Sequence, residues 1–124
     1  MHNEERKTNI MTESVYPIAT AEMGHHRHEL APAIDDAFKT FSRAVFTNGA
    51  LPEVTKQLIA VAVAHVTQCP YCIDGHTRMA RRKGATDEEI MEAIWVAAEM
   101  RAGGAFAHSA IALRALSEPP ESRP

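Results

Sequence analysis

The segment from Gln57 to Val66 constrains the fold of this chain more than any other. On a helix it is apolar around most of the circumference, through Leu58, Ile59, Ala62, Val63 and Val66. A helix with so little polar surface has to be covered by other elements. Leu51-Pro52-Glu53 is a suitable start, because proline and an acidic residue both favour a first helical turn. We therefore expect a central helix here.

Three further helices are predicted around it. From about Glu29 to Thr47, apolar residues recur at three- and four-residue steps, and Asn48-Gly49 is a typical helix end. Pro70 suits the first position of a helix that ends near Lys83-Gly84, which makes Cys69 its cap residue. Thr86-Asp87-Glu88-Glu89 is a capping-box pattern that begins a last helix. Gly103-Gly104 is expected to kink or divide that helix before it continues to Leu116.

Composition supports an all-α fold. Apolar residues make up 45% of the 124 residues but aromatic residues only 6%, so Ala, Val, Ile, Leu and Met must form most of the core. No two-residue alternation of useful length indicates a strand. We predict a single-domain helical bundle over residues 23–117, an N-terminal arm or tail over residues 1–22, and a frayed C-terminus over residues 118–124.

Charge and hydropathy exclude several functions. The net charge of −3 and the lack of a long basic run argue against nucleic-acid binding. Residues 93–116 are interrupted by Glu99, Arg101 and His108, which argues against a membrane span. Residues 1–7 are charged and no apolar stretch follows them, so no signal peptide is predicted. A cytoplasmic location is the expectation, and in a reducing compartment two closely spaced cysteines indicate cycling chemistry or metal binding.

Cys69-Pro70-Tyr71-Cys72 holds the only two cysteines of the chain. Cys72 and His76 are four residues apart and share a helix face, and Cys69 belongs to the same first turn. Amide hydrogens at a helix N-terminus favour the thiolate, which is the reactive form of cysteine. His76 is placed to accept or return a proton. A thiol pair beside an imidazole predicts a redox site, the alternative being two buried structural cysteines.

A zinc site is a competing interpretation. His65, Cys69, Cys72 and His76 are all ligand types, but ligands on one helix face cannot surround an ion without a second segment. His25, His26, His28 or His108 are the candidates for that segment. For Gly24-His25-His26-Arg27-His28 we favour a solvated loop or a first helical turn, because neighbouring histidines point apart on a helix. We therefore predict no metal and no cofactor.

The segment Gln57 to His76 resembles the core of the alkylhydroperoxidase D branch of the carboxymuconolactone decarboxylase-like superfamily. Lys83-Gly84-Ala85-Thr86-Asp87-Glu88-Glu89-Ile90 and the helix that follows match the same pattern, so that the resemblance covers about residues 30–116. C-x-x-C-x-x-x-H is its most specific part. The resemblance implies an all-α fold, a homotrimer or homohexamer, and a thiol-dependent peroxidase that acts on hydroperoxides.

The resemblance also implies roles for the two cysteines. Cys72 would attack the peroxide and Cys69 would condense with it to a disulfide, with His76 as the nearest base. A dithiol or lipoyl-type reductant would restore the pair. The helix-cap argument alone favours Cys69 as the more reactive thiol, and on this point we follow the order that the resemblance implies.

Two residues depart from the pattern. The peroxidases carry a glutamate at the position of Gln57, and an amide cannot relay a proton. Tyr71 stands between the cysteines where the better-studied peroxidase has a histidine. Glu53, one turn before Gln57, and His65 are candidate substitutes in a relay, although a hydrogen-bonded structural role is the first expectation for His65.

Two other functions stay open. A decarboxylase-type lyase would move a proton on a lactone with a histidine and an acid, and would not need the cysteine pair. A non-enzymatic oligomeric subunit that senses redox state or binds metal is the other. The small residues from Ala97 to Ala107 suit close helix packing, either within one chain or between subunits.

Overall fold

The computed structural model describes residues 15–121, which contain five helices and no strand. The helices are α1 (Ala21–Leu30), α2 (Pro32–Val45), α3 (Glu53–Thr67), α4 (Pro70–Arg82) and α5 (Asp87–Ser117). The predicted all-α class is thus confirmed. None of these helices has a stretch long and apolar enough to cross a membrane within residues 15–121.

The predicted helix from Glu29 to Thr47 is two helices. Pro32 begins α2 and lacks the N–H that a continuous helix would need, and Ala31 before it leaves helical geometry with φ −154° and ψ 68°. The residues before the break form α1, whose start is capped by the hydroxyl of Thr20 accepting from the Met23 N–H at 3.2 Å. Residues 21 and 22 are therefore helical, although they fell inside the predicted arm, and residues 1–14 lie outside the described part.

The chain divides into two compact units, one ending at Val45 and one beginning at Phe46. In the first unit, the ring of His28 on α1 hydrogen-bonds to Asp36 on α2 at 3.0 Å. The first unit leaves its large apolar side chains exposed, and Ile34, Phe38 and Phe41 lie at helical spacing along one face of α2.

In the second unit, α3 packs against both α4 and α5, which confirms its predicted central position. The core consists of Val61 from α3, Ala80 from α4, Ala85 from the loop and Ile90 from α5. Small residues at two of these positions let the helices approach closely. A surface ion pair of 3.0 Å between Glu53 and Lys83 links the start of α3 to the end of α4.

The last helix begins as predicted and ends at Ser117, one residue after the predicted end at Leu116. Thr86 and Glu89 form a complete capping box, with the Thr86 hydroxyl accepting from the Glu89 N–H at 3.1 Å and the Glu89 carboxylate accepting from the Thr86 N–H at 2.9 Å. The division considered at Gly103-Gly104 does not occur, because α5 continues as one helix through both glycines to Ser117. Each glycine costs a helix about 1 kcal/mol, which does not interrupt one with long flanking segments.

Candidate active site

The candidate site lies at the junction of α3 and α4. Gln68 follows the last residue of α3 in the left-handed conformation, with φ 57° and ψ 46°. This conformation is uncommon for a residue other than glycine and turns the chain sharply. The Cys69 N–H then donates to the Ala64 carbonyl of α3 at 3.2 Å. The turn therefore brings Cys69 out of one helix and directly to the start of the next.

Cys69 is the N-cap of α4, as predicted, and Pro70 occupies the first turn. The Cys69 sulfur accepts from the Cys72 N–H at 3.3 Å, and the two half-buried cysteines are joined in a disulfide. Their Cα atoms lie 5.2 Å apart, within the normal range for such a bond. When the pair is reduced, the same amide hydrogens of the first turn are available to stabilise a thiolate.

His76 stands one turn beyond Cys72 on α4 and is half-buried. Its Nδ1 atom lies 2.7 Å from the Oε1 atom of Gln57 on α3. Gln57 is only 5% exposed. The ring of Phe46 stacks on the imidazole with a centroid distance of 5.0 Å and an angle of 27° between the ring planes. The imidazole of His76 is therefore contacted at one ring nitrogen by Gln57 and on one ring face by Phe46.

The remaining candidate relay residues have other hydrogen bonds. The half-buried His65 places Nδ1 2.7 Å from the Val61 carbonyl of its own helix. The Glu53 carboxylate lies 3.0 Å from Nζ of Lys83. Tyr71 is 45% exposed, between the two cysteines. Of the candidates in α3, Gln57 contacts the His76 ring. His65 instead contacts the Val61 carbonyl, and Glu53 contacts Lys83.

The histidines outside this site are placed on α1 and α5. His25, His26 and His28 all lie within α1, after its first turn. His108 lies in α5. In the described residues, the set of side chains whose ligand atoms come within 4.8 Å of one another is His28, Asp35 and Asp36. Lys39 already contacts Asp35 at 2.8 Å, and this hydrogen bond is the main reason that the pKa of Asp35 is lowered. The four residues of the competing zinc interpretation do not form such a set within residues 15–121.

An open cavity lies along one face of α4. Its lining residues begin immediately after Cys69 and follow one face of the helix: Pro70, Ile73, Asp74, Thr77 and Arg78. Arg78 donates to both carboxylate oxygens of Asp74, at 3.2 and 3.1 Å, so the charges at the far end of this cavity are paired. Pro70 and Ile73 form its more apolar end, and Cys69 and Cys72 are not among its lining residues.

The stack of Phe46 on His76 was not expected from the sequence, whereas the resemblance had already made Gln57 a candidate relay residue. Phe46 belongs to the apolar pattern that predicts a helix up to Thr47, and nothing in that pattern indicates an aromatic stack on a histidine 30 positions later. Gln57 stands out in the sequence as a polar residue at the start of an apolar run. That feature indicates burial with a partner but does not identify the partner.

The chain matches one protein family and is similar to proteins of two bacteria. The model of the carboxymuconolactone decarboxylase family matches residues 32–115. A protein of Paracoccus denitrificans named uncharacterized protein 4 in cox locus is 60% identical over 108 residues, which covers 87% of this chain and 96% of that protein. An uncharacterized protein of Cupriavidus necator is 37% identical over 82 residues, which covers 66% of this chain and 73% of that protein.

Solved structures agree on the fold. A structural-genomics crystal structure from Methanobacterium thermoautotrophicum matches with a TM-score of 0.63 and 37% identity, covering 67% of this chain and 93% of that one. The apo form of a carboxymuconolactone decarboxylase family protein from Legionella pneumophila matches with a TM-score of 0.60 and 35% identity, covering 76% of this chain and 83% of that one.

Proposed function

We propose that this chain, which belongs to the carboxymuconolactone decarboxylase family and carries a C-x-x-C pair at the start of α4, is a thiol-dependent peroxidase. One observation carries the proposal: Cys69 and Cys72 are bonded to each other at the N-terminus of α4, with His76 one turn further along. This arrangement combines two sulfurs that exchange a bond, amides that favour a thiolate, and a group that handles protons.

The proposed cycle uses each of the three residues once. The Cys72 thiolate attacks the terminal oxygen of a hydroperoxide, the O–O bond breaks, and Cys72 becomes a sulfenic acid. His76 supplies the proton with which the alkoxide leaves as an alcohol. The Cys69 thiol then attacks the Cys72 sulfur, the disulfide forms, and water leaves.

The disulfide of the present structure corresponds to the oxidised end of this cycle. A dithiol or lipoyl-type reductant would return two electrons and two protons by thiol–disulfide exchange. A cytoplasmic location, where glutathione and thioredoxin keep thiols reduced, suits a pair that must be reduced again after each turnover.

The test is to follow peroxide loss and free thiols together in reduced wild type and in Cys72→Ser. We expect the wild type to consume about one peroxide per thiol pair without added reductant, and to turn over repeatedly when a dithiol is supplied. Cys72→Ser should do neither. Equal peroxide consumption by the two proteins would contradict the proposal, and thermal unfolding of the reduced proteins checks that the variant is folded.

We also propose that the protein assembles as a homotrimer or homohexamer. On α5, Trp95 is 69% exposed and Phe106 is 82% exposed, and further large apolar side chains of this helix are uncovered. Apolar surface of this extent usually marks an interaction site. Sedimentation equilibrium should give three or six chains per particle, and a monomer at micromolar concentration would contradict the proposal.

A further inference from the structure

The hydrogen bond between Gln57 and His76 fixes the state of the imidazole. In the structure the amide oxygen of Gln57 faces Nδ1 of His76 at 2.7 Å, and because an amide oxygen only accepts, this orientation of the amide requires the hydrogen on Nδ1. In the neutral ring this leaves Nε2 as the basic atom. Because Gln57 is 5% exposed, losing its partner would leave a buried polar group unsatisfied. The bond, which joins residues 19 positions apart, therefore specifies a single tautomer.

The same bond offers no charge to a protonated His76. An amide is neutral, whereas a carboxylate at this position would stabilise the imidazolium by direct attraction. The nearest acid along α3, Glu53, is 3.0 Å from Lys83 and thus already has a counterion. The imidazolium–thiolate state of the reduced site is therefore supported by the amides of α4 but not by an acid behind the histidine.

Several other charged or titratable groups on the packed helices form hydrogen bonds to partners other than His76. They are Lys56 with the Thr47 carbonyl, His65 with the Val61 carbonyl, Asp74 with Arg78, and Arg101 with the Val66 carbonyl. None of these four hydrogen bonds involves His76. Gln57 is thus the group through which α3 acts on the imidazole.

We propose that Gln57 is a positioning residue that holds His76 without stabilising its protonated form, so that the thiol–disulfide equilibrium of Cys69 and Cys72 lies further towards the disulfide than a carboxylate at this position would set it. Reduction converts the disulfide, two electrons and two protons into two thiols, and any interaction that stabilises the thiolate makes this reduction easier. Gln57 orients His76 without adding such an interaction. The inference rests on the proposed dithiol cycle, but it concerns the equilibrium of the pair and needs no peroxide.

The experiment is a redox titration of the full-length protein in dithiothreitol buffers, with wild type compared with the near-isosteric Gln57→Glu. We expect the variant to be reduced more easily, with an equilibrium constant at least about tenfold higher, which corresponds to about 30 mV. Its thiolate absorbance should also appear at lower pH. Glu53→Gln is the matched control, since it removes a carboxylate from the same helix without touching His76, and should leave the equilibrium constant unchanged.

The effect must act through the imidazole. In a His76→Asn background, Gln57→Glu should produce no increase in the equilibrium constant, and a double-mutant cycle measures this coupling. An unchanged constant in the single variant, or an equal increase without the imidazole, would overturn the inference.

A measurement on the wild type keeps the inference testable if Gln57→Glu does not fold. Nitrogen NMR of the neutral His76 ring should find hydrogen on Nδ1 and none on Nε2, and the opposite tautomer would overturn the proposed positioning. Failure of the peroxidase assay would leave these equilibrium and tautomer measurements intact. An unshifted equilibrium in a protein that does consume peroxide would refute this inference alone.

Discussion

The helices α4 and α5 begin in the same way but with different atoms. At the start of α5, oxygen atoms of Thr86 and Glu89 accept two amide hydrogens at 3.1 and 2.9 Å. At the start of α4, the sulfur of Cys69 accepts one amide hydrogen at 3.3 Å. Sulfur is a weak acceptor, so the α4 cap is the poorer of the two for stability. The α4 cap instead provides a sulfur that can form and break a bond with Cys72.

The largest expected effect follows from giving α4 the better cap. Cys69→Ser places a hydroxyl, one of the preferred N-cap groups, where the sulfur now accepts. We expect the reduced variant to be as stable as reduced wild type or more stable, by up to about 1 kcal/mol. Repeated peroxide turnover should be lost, since Cys72 then has no second sulfur with which to condense.

Urea unfolding of both reduced proteins and a coupled peroxide assay give the two readouts. Cys69→Ala is the control, because it removes the same sulfur without supplying an acceptor and should be less stable than Cys69→Ser. Sustained turnover by Cys69→Ser would mean that Cys69 does not resolve the sulfenic acid.

The second prediction removes the oxygen cap of α5. Thr86→Ala deletes the hydroxyl that accepts from the Glu89 N–H, and such a change costs about 1 kcal/mol of unfolding free energy. The dithiol equilibrium should not change, because Thr86 begins a helix that does not hold the cysteines. Thr86→Ser keeps the hydroxyl and serves as the control. A loss of stability as large in Thr86→Ser as in Thr86→Ala would show that the methyl group, and not the cap, is responsible.

Both of these caps were visible in the sequence because their chemistry is local. Thr86 and Glu89 are three residues apart, and Pro70 marks the start of α4 by itself. Pro32 also marks a helix start in the sequence, but the apolar periodicity that continues from Leu30 to Ile34 predicts one helix across it. The periodicity is still present in the structure, divided between two helices. At Gly103-Gly104 the local signal was given too much weight, because the helix-destabilising cost of two glycines does not outweigh the long helical segments on both sides.

The contacts that orient His76 could not be predicted from local spacing in the same way, and Gln57 was a candidate only through the resemblance. Gln57 and Phe46 approach the imidazole from separate positions in the chain, and only the packing of the second unit brings them there. The sequence places Cys69, Cys72 and His76 on one helix, which follows from their spacing. It does not determine which ring nitrogen carries the hydrogen, which depends on a tertiary contact.

The smallest expected effect concerns the acid dependence of the α5 cap. The hydrogen bond from the Thr86 backbone, followed by that from its side chain, lowers the pKa of Glu89 below its ordinary 4.5. A carboxyl whose pKa is lower in the folded state stabilises the protein fully above the unfolded pKa, and this contribution is lost as the pH falls through the folded value. Glu89→Gln keeps an acceptor oxygen for the Thr86 N–H but does not titrate. Wild type should therefore exceed Glu89→Gln in stability at neutral pH, and the difference should shrink below pH 4.5.

Urea unfolding midpoints of the oxidised proteins at neutral and acidic pH measure this difference, with Glu88→Gln as a control that removes a neighbouring carboxylate outside the capping box. A gap between wild type and Glu89→Gln that stays constant with pH would mean that the charge of Glu89 does not contribute to the cap. The α4 cap has no carboxylate in this position, because the third residue after Cys69 is Cys72. The comparison between the two helix starts thus predicts an acid-sensitive cap on α5 only, with the start of α4 responding instead to the redox state of its two sulfurs.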